Sequence, residues 1–476
     1  MTLKGIEVTK AIESAKLALS SGSSISPAFR SLVEVLILII ELLLDRTKLA
    51  TSRTSHKPPS QDPHRARPKK SSSKKRKSGG QPGHEGSTLE QVEDPDHVEE
   101  FLIDRRTLPR GKSYTRQEDE VRQVIEIRIS REVTEYRAEV LKDEDGKQYV
   151  AEFPKGVTRP AQYGPGLKGQ LVYHSTYQLL PYARVQSYFR DQAGIELSQG
   201  TIYNSCAEAY ELLVPFEELA KEQLQGAAIG HFDETGININ GKLHWLHSAS
   251  NNLWTLSAPH QKRGKEAMDE IGILPKFLGT ACHDHWKAYF RYKCIHALCN
   301  AHHLRELEWV SEHEKRKWSR TMQKFLLKTN DLTTEAGGSL PMKVQAARRK
   351  RYRKILCEAD IECPPEEITT STKKIKRSKE QNLILRLRDF ENEVLLFMTD
   401  PLVPFTNNQG ERDIRMTKVQ QKISGCFRSF KGAQIFCRVR SYISTCLKHG
   451  IDPTTPLSML FSGRLTEVLQ KFRLTS

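Results

Sequence analysis

The sequence predicts a multidomain α+β chain whose α/β core is interrupted by a helical insertion, and three observations carry that prediction. Hydrophobic periodicity is helical near the N-terminus, alternates between about 88 and 160, turns helical again, and then breaks into three short apolar segments separated by N-G and N-N turns. The 476 residues suffice for two to four domains, and a hydrophobic content of 37% leaves part of the chain as linker. A highly charged stretch of helical period, 311–405, separates the apolar segments from a last polar helix.

Residues 1–50 carry a helix signal, strongest from Phe29 to Leu49, with Glu34 and Glu41 one heptad apart among Leu, Ile and Val. So broad an apolar face serves either self-association as a coiled coil or ordinary burial. Residues 51–87 read as a disordered basic linker: between Arg53 and Lys77 ten Lys or Arg oppose Asp62 alone, a net of +9. That is more than half of the formal charge of +16, and it favours a polyanionic partner, nucleic acid or an anionic membrane surface. Lys69, Lys70, Lys74, Lys75, Arg76 and Lys77 form its densest part, which binds phosphates without reading bases and also matches the pattern of a nuclear localisation signal. No membrane span is expected, because the longest apolar run, Leu32 to Leu44, has thirteen residues and includes Glu34 and Glu41. The N-terminus lacks a signal-peptide core and all nine cysteines follow residue 205 without a regular framework, so a cytoplasmic protein without disulfides is expected.

Residues 88–160 form a predicted β-rich module, with a hairpin turn at the D-G step. Residues 161–225 are helical, broken at Pro181 and Gly194, with a helix entry at Ser198; they are either a DNA-binding helix-turn-helix-like unit or a structural connector. From 226 to 310 come three meander strands (AAIGHFDETGININ, KLHWLHSAS, NNLWTLSAP), a helix from about Gly264, the strand FLGTACHDHW, the short strand CIHALC and a helix near Asn300. That mixed order is the order of a ribonuclease H-like fold. The helical insertion follows over 311–405, the core resumes over 406–452, and 453–476 is a tail.

In the resuming helix, spacing of i, i+4, i+8 and i+11 puts Asn407, Glu411, Arg415 and Lys418 on one face. This is either a solvated row of ion pairs or a carboxylate facing a groove, with Arg415 and Lys418 neutralising a ligand's phosphates. Asp233 stands in the first meander strand and Asp284 at the end of the fourth strand; with Glu411 they make a D, D, E set. Three carboxylates from separate elements suit Mg2+ or Mn2+, and two such ions serve an in-line displacement at phosphorus, although acids at strand ends are also common structural features. Cys299-x-x-His302, completed by Cys282 or His283, has a spacing for a structural metal, but without the usual ligand repeats zinc is not expected. His302 or His303 is assigned to orient Asp284 or a scissile phosphate, with Asn408 in support. Arg305, Arg428 and Arg440 are each either a phosphate contact or a surface cation.

The blocks HFDETGININGKLHWLHSAS, ACHDHWKAYFRYKCIHALCNAHHLRELEW and NNQGERDIRMTKVQQKISGCFRSFKGAQIFCRVRSYISTCLKHG resemble the catalytic blocks of the IS66 family of bacterial insertion-sequence transposases. SHKPPS, GGQPGHEG and FPKGVTRPAQYGPGLKGQLVYHSTYQLLPYARVQSYF extend the resemblance over most of the chain. It implies a ribonuclease H-like catalytic domain with Asp233, Asp284 and Glu411 as catalytic and metal-binding residues, and metal-dependent DNA cleavage followed by strand transfer. It also implies DNA partners (element ends and target), a homo-oligomer on DNA, accessory proteins encoded by the same element, and a nucleoid-associated location in a bacterium. The alternatives are a ribonuclease H-like nuclease without strand transfer and an inactive DNA-binding protein. One departure stands out: family members commonly carry a cysteine-based zinc module after GGQPGH, and this chain has no cysteine before Cys206.

Overall fold

The computed structural model describes residues 2–3, 6–21, 26–47, 89–364 and 377–474. The predicted basic linker, including Lys69, Lys70, Lys74, Lys75, Arg76 and Lys77, lies outside the described residues. The chain divides into two units, one of residues 1–69, 152–186 and 197–476 and the other of residues 70–151 and 187–196.

In the first unit a short strand pair, β1 (Thr2–Leu3) and β2 (Ile6–Glu7), precedes helices α1 (Val8–Ser21) and α2 (Pro27–Thr47). Helix α2 starts where Ser26 Oγ accepts the Phe29 N–H and where Pro27 presets φ for the first turn. Ile12 and Leu19 of α1 bury against Ile37 of α2, while Leu36, Leu38 and Ile39 stay exposed. No helix among the described residues is long and apolar enough to cross a membrane.

The second unit corrects the expected β-rich module. Among its described residues the regular strands are one hairpin, β3 (Val140–Lys142) with β4 (Gln148–Val150), turned through Gly146 at φ 85°. The alternating run around residues 120–130 forms no strand, and Val121, Val124, Ile125 and Ile127 are exposed. Alternation makes an amphipathic ribbon only where an apolar surface covers one side, and none of the unit's described residues covers this one. Elsewhere the extended chain is tied by the Gln123 amide, which bonds both the N–H and the carbonyl of Val92 at 2.7 and 2.8 Å.

The chain continues through α3 (Pro165–Val172), α4 (Tyr182–Ala193), α5 (Gln199–Leu212) and α6 (Val214–Gln225), of which residues 187–193 of α4 belong to the second unit and the rest to the first. Ser198 is the N-cap of α5, accepting the Thr201 N–H at 3.0 Å. Five strands follow: β5 (Ile229–Ile239), β6 (Lys242–Ser250), β7 (Thr255–His260), β8 (Thr280–His283) and β9 (Ile295–Leu298), with α7 (Lys265–Ile271) between β7 and β8. Their order is β7-β6-β5-β8-β9; β5, β6 and β7 are antiparallel neighbours, while β5, β8 and β9 run parallel. The β5–β6 turn has Asn240 at φ 48° and Gly241 at φ 78°, the paired left-handed residues that the N-G signal demands. At the entry to β8 a Cβ on Gly279 would lie 2.3 Å from the Ala227 carbonyl, so only glycine lets the two parallel strands meet there.

Helix α8 (Asn300–His313) follows β9, and the stretch 311–405 is helical in its described residues, as α9 (Lys317–Glu335), α10 (Met342–Glu362), α11 (Lys379–Asp389) and α12 (Glu391–Val394). It has its own core, in which Trp318, Met322, Tyr352, Ile355, Leu383 and Leu387 pack together and join the sheet through Ala297 and Leu298. The chain then returns as α13 (Asn408–Ser424) and α14 (Phe430–Lys448), and ends with α15 (Thr454–Phe461) and α16 (Leu465–Leu474).

Candidate active site

The site is built on the alternation of β5. Phe232 faces the core that holds Trp254, Phe277 and Tyr442, whereas Ile237 and Ile239 face the opposite side, where they pack with Ile414 of α13. A period of two puts His231 and Asp233 on the α13 side. Helix α13 runs alongside the strand: the His231 Nδ1–H donates to Asn407 Oδ1 at 2.7 Å, Ile414 packs on Ile237, and the Lys418 ammonium donates to the Gly236 carbonyl. Eleven helical residues rise about 17 Å and five strand residues about 17 Å, so both elements cover one length and Glu411 falls beside Asp233. Gly410 is part of this fit, since a Cβ there would press on the Asn407 amide at 3.0 Å.

Asp284 reaches the same level from the neighbouring strand. The parallel register pairs His231 with Cys282, and two residues on in each strand come Asp233 and Asp284. Backbone N–H groups fix one oxygen of each: Glu234 N–H donates to Asp233 Oδ1 and Trp286 N–H to Asp284 Oδ1, both at 2.9 Å. Desolvation raises the Asp233 pKa well above the carboxylate range, and the charges of Glu234, Asp284 and Glu411 raise it further. Glu411, in the first turn of α13, lies 3.5 Å from Arg305 through Oε2 and 3.9 Å from His302 Nδ1 through Oε1; the latter oxygen is buried and accepts no hydrogen bond. An all-oxygen set of mutually repelling carboxylates with an unbonded buried oxygen fits a hard divalent cation.

The remaining predicted residues divide. Arg415 is exposed because the face that meets the sheet runs through Asn407, Glu411, Ile414 and Lys418, one residue off the predicted row. Lys418 is corrected from phosphate contact to tether, held on the Gly236 carbonyl with its pKa lowered by burial. Arg440 is also corrected: it is largely enclosed, stacks on Tyr177 and donates to the Thr176 and Tyr177 carbonyls at 3.4 and 3.0 Å. His303 is buried, bonded to Asn300 Oδ1 at 3.1 Å, with its pKa lowered to about 3 by desolvation first and then by the Arg386 charge. It therefore packs the start of α8, whereas His302 approaches Glu411. Arg305 is engaged with Glu411, while Asn408 and Arg428 are exposed. Cys282 and His283 neighbour Cys299, whose N–H donates to the His283 carbonyl at 3.0 Å, but they do not join Cys299 and His302 in one ligand group; His283 Nδ1–H is on the Asp284 carbonyl and Nε2 lies 3.0 Å from His296.

Two features go beyond what spacing and residue type reveal: a residue they do not single out, Glu234, and the contacts of a residue they place on the right face. Glu234 points to the other side of β5, buried, where the Tyr289 hydroxyl donates to Oε2 and Arg263 donates to Oε1 at 2.6 and 2.9 Å. Arg263 lies against the indoles of Trp245 and Trp286, at 4.8 and 4.3 Å, so this pair, Glu234 buried and Arg263 part-exposed, buttresses the residue whose N–H holds Asp284. The second is Asn407, buried, which donates through Nδ2 to the Phe232 carbonyl at 3.0 Å and through its backbone N–H to Cys299 Sγ at 3.1 Å. For Glu234 the signal was an acid directly after Asp233, and for Asn407 it was the i, i+4 spacing to Glu411, which gave the face but not the contacts.

A family model described as "Transposase IS66 family" matches residues 160–435. No curated protein matches the chain.

Proposed function

Since the chain belongs to the IS66 family of transposases, we propose that it is a DDE transposase, cutting DNA at element ends and joining the freed 3′-hydroxyl to target DNA, with Asp233, Asp284 and Glu411 as its catalytic acids. The observation that carries this reading is the convergence of three acids from three elements: the β5–β8 register sets Asp284 level with Asp233, and α13, tied to β5 through His231–Asn407 and Lys418–Gly236, brings Glu411 alongside. The strand order β7-β6-β5-β8-β9, with three antiparallel strands and a parallel extension, supports a ribonuclease H-like reading of the core.

Asp233, Asp284 and Glu411 would hold Mg2+ or Mn2+, as a pair of ions. When bound, divalent cations activate the attacking oxygen and stabilise the leaving oxygen of an in-line displacement at phosphorus. The protein's own part is positioning. The Glu234 and Trp286 N–H groups hold one oxygen of each aspartate and leave the other for a ligand. Arg305, beside Glu411, and the exposed Arg415 and Arg428 offer positive charge to the DNA backbone. The same reading makes DNA the substrate, a homo-oligomer on DNA the working form, proteins of the same element its accessories, and the bacterial cytoplasm its place.

Incubating the protein with its element's end DNA and Mg2+, and scoring nicking and joining separately, tests this. Both products are expected, and both should vanish in Glu411→Gln while DNA binding persists. Nicking without joining would make the protein a nuclease; binding without either product would make it a DNA-binding protein.

A further inference from the structure

Beside the three acids lies a second cluster of a different chemistry. The Cys299 sulfur, a His302 ring nitrogen and a Glu411 carboxylate oxygen lie within 4.8 Å of one another, with His302 Nδ1 at 3.9 Å from Glu411 Oε1. Local structure explains the first two. Cys299 is the N-cap of α8 and His302 its third residue, the pair of positions whose side chains come together in a capping box. The sulfur is held in place by the Asn407 N–H at 3.1 Å, and Asn407 immediately precedes the helix that carries Glu411. The site is thus framed by both helix starts. A thiolate, an imidazole and a carboxylate form a set that suits zinc and not magnesium, and three protein ligands leave a fourth tetrahedral position open. Zinc bond lengths of about 2.0–2.3 Å need ligand separations near 3.5 Å, so the site closes with side-chain shifts of about 1 Å.

We propose that Cys299, His302 and Glu411 form a zinc site that shares its carboxylate with the catalytic acids, so that zinc binding takes Glu411 away from the reaction. The binding part stands on this cluster alone; the inhibitory part rests on the catalytic reading of Glu411. Zinc then acts as a brake. Free zinc at a concentration that fills the site stops DNA cutting even in excess Mg2+, because Mg2+ has little affinity for sulfur and nitrogen ligands and cannot displace it.

The test uses the full-length, metal-free protein and Co2+ as the optical probe. A thiolate-to-cobalt charge-transfer band should appear and saturate at one equivalent, disappear on adding Zn2+, and survive both excess Mg2+ and Asp284→Asn. Cys299→Ser, which keeps an acceptor for the Asn407 N–H, should abolish the band. His302→Gln should weaken cobalt binding by about 10–100-fold or more, as loss of a ligand costs at least what loss of its supporting partner does. Melting curves confirm that the variants are folded. In parallel, the ratio of cleavage rates with and without Zn2+ should be small for the wild type and return toward one in Cys299→Ser, whatever that variant's basal rate. No band, or a band indifferent to Cys299→Ser, overturns the site. A Cys299-dependent band with unaltered cleavage keeps the site but overturns the brake, and the catalytic reading of Glu411 with it.

Discussion

Glu411 and Asp413 lie two residues apart on α13 and should respond in opposite ways to loss of charge. Asp413 does not face β5. Its Oδ2 pairs with the Lys448 ammonium at 2.9 Å, with both side chains only 11–12% exposed, and Lys448 also donates to the Asn251 and Trp254 carbonyls at 2.8 and 3.1 Å. In Asp413→Asn the ammonium keeps those two carbonyls and a neutral amide oxygen but loses its counter-charge. Breaking a buried pair from one side costs about 3–5 kcal/mol, and the three remaining acceptors reduce this to about 2 kcal/mol. For a core of this size that lowers Tm by roughly 4–6 °C. Glu411→Gln removes a carboxylate from a crowded acidic site and should leave Tm unchanged or higher. Thermal melting, together with single-turnover cleavage of prebound end DNA well below either Tm, separates the two. Asp413→Asn should cut at a rate within a few-fold of wild type, whereas Glu411→Gln should lose at least about 1000-fold, since residues acting as one unit lose nearly everything at the first removal. An inactive Asp413→Asn with unchanged melting, or an active Glu411→Gln, refutes the placement of α13 against β5.

The other predictions concern charge. The raised Asp233 pKa means that the folded protein binds this proton more tightly than the unfolded chain, so stability falls as pH rises from the ordinary carboxylate range through the folded pKa, and the full penalty is present above it. Asp233→Asn should therefore melt higher than wild type at pH 7.5 in EDTA, with the two curves converging toward pH 4; a variant less stable at every pH contradicts the repulsion. Arg263→Leu leaves Glu234 buried without its cation and should cost about 2–3 kcal/mol, below the fully buried range because Arg263 is 38% exposed. Adding Glu234→Gln should recover most of that in denaturant melts, and simple additivity of the two losses would show that the pair does not act as one. Deleting residues 51–87 removes the net charge of +9 between Arg53 and Lys77 and should flatten the slope of log K against log salt by several units, up to about 8, while sequence preference persists.

What could be read in advance follows from how local each signal is. The N-G turn at Asn240 and Gly241 determines its own geometry, so the meander and the strand that carries Asp233 were legible, as was the helix entry at Ser198. The face of α13 was only partly so. Spacing alone fits Arg415 as well as Ile414, and the apolar wall of Ile237 and Phe436 selects the isoleucine. The same tertiary choice turned Lys418 and Arg440 inward to backbone carbonyls, where composition suggested DNA contacts. Over 120–130 the alternation was present but its covering surface was not, which no residue in that run could reveal. Cys299, His302 and Glu411 were separately visible, yet the third follows the second by 109 positions, and only the packing of α13 onto β5 and α8 joins them.

The central claim is that Asp233, Asp284 and Glu411, from three separate elements, hold one divalent metal centre. Loading the metal-free Cys299→Ser protein, in which the sulfur ligand beside Glu411 is removed, with Fe2+ and generating hydroxyl radicals with ascorbate and peroxide cuts the backbone next to the bound ion. Cuts should cluster near residues 233, 284 and 411, disappear when Mg2+ is in excess, and be lost at all three places together in Asp233→Asn. Cuts at one of these places that persist when another acid is removed, or cuts that Mg2+ does not suppress, would contradict a shared centre.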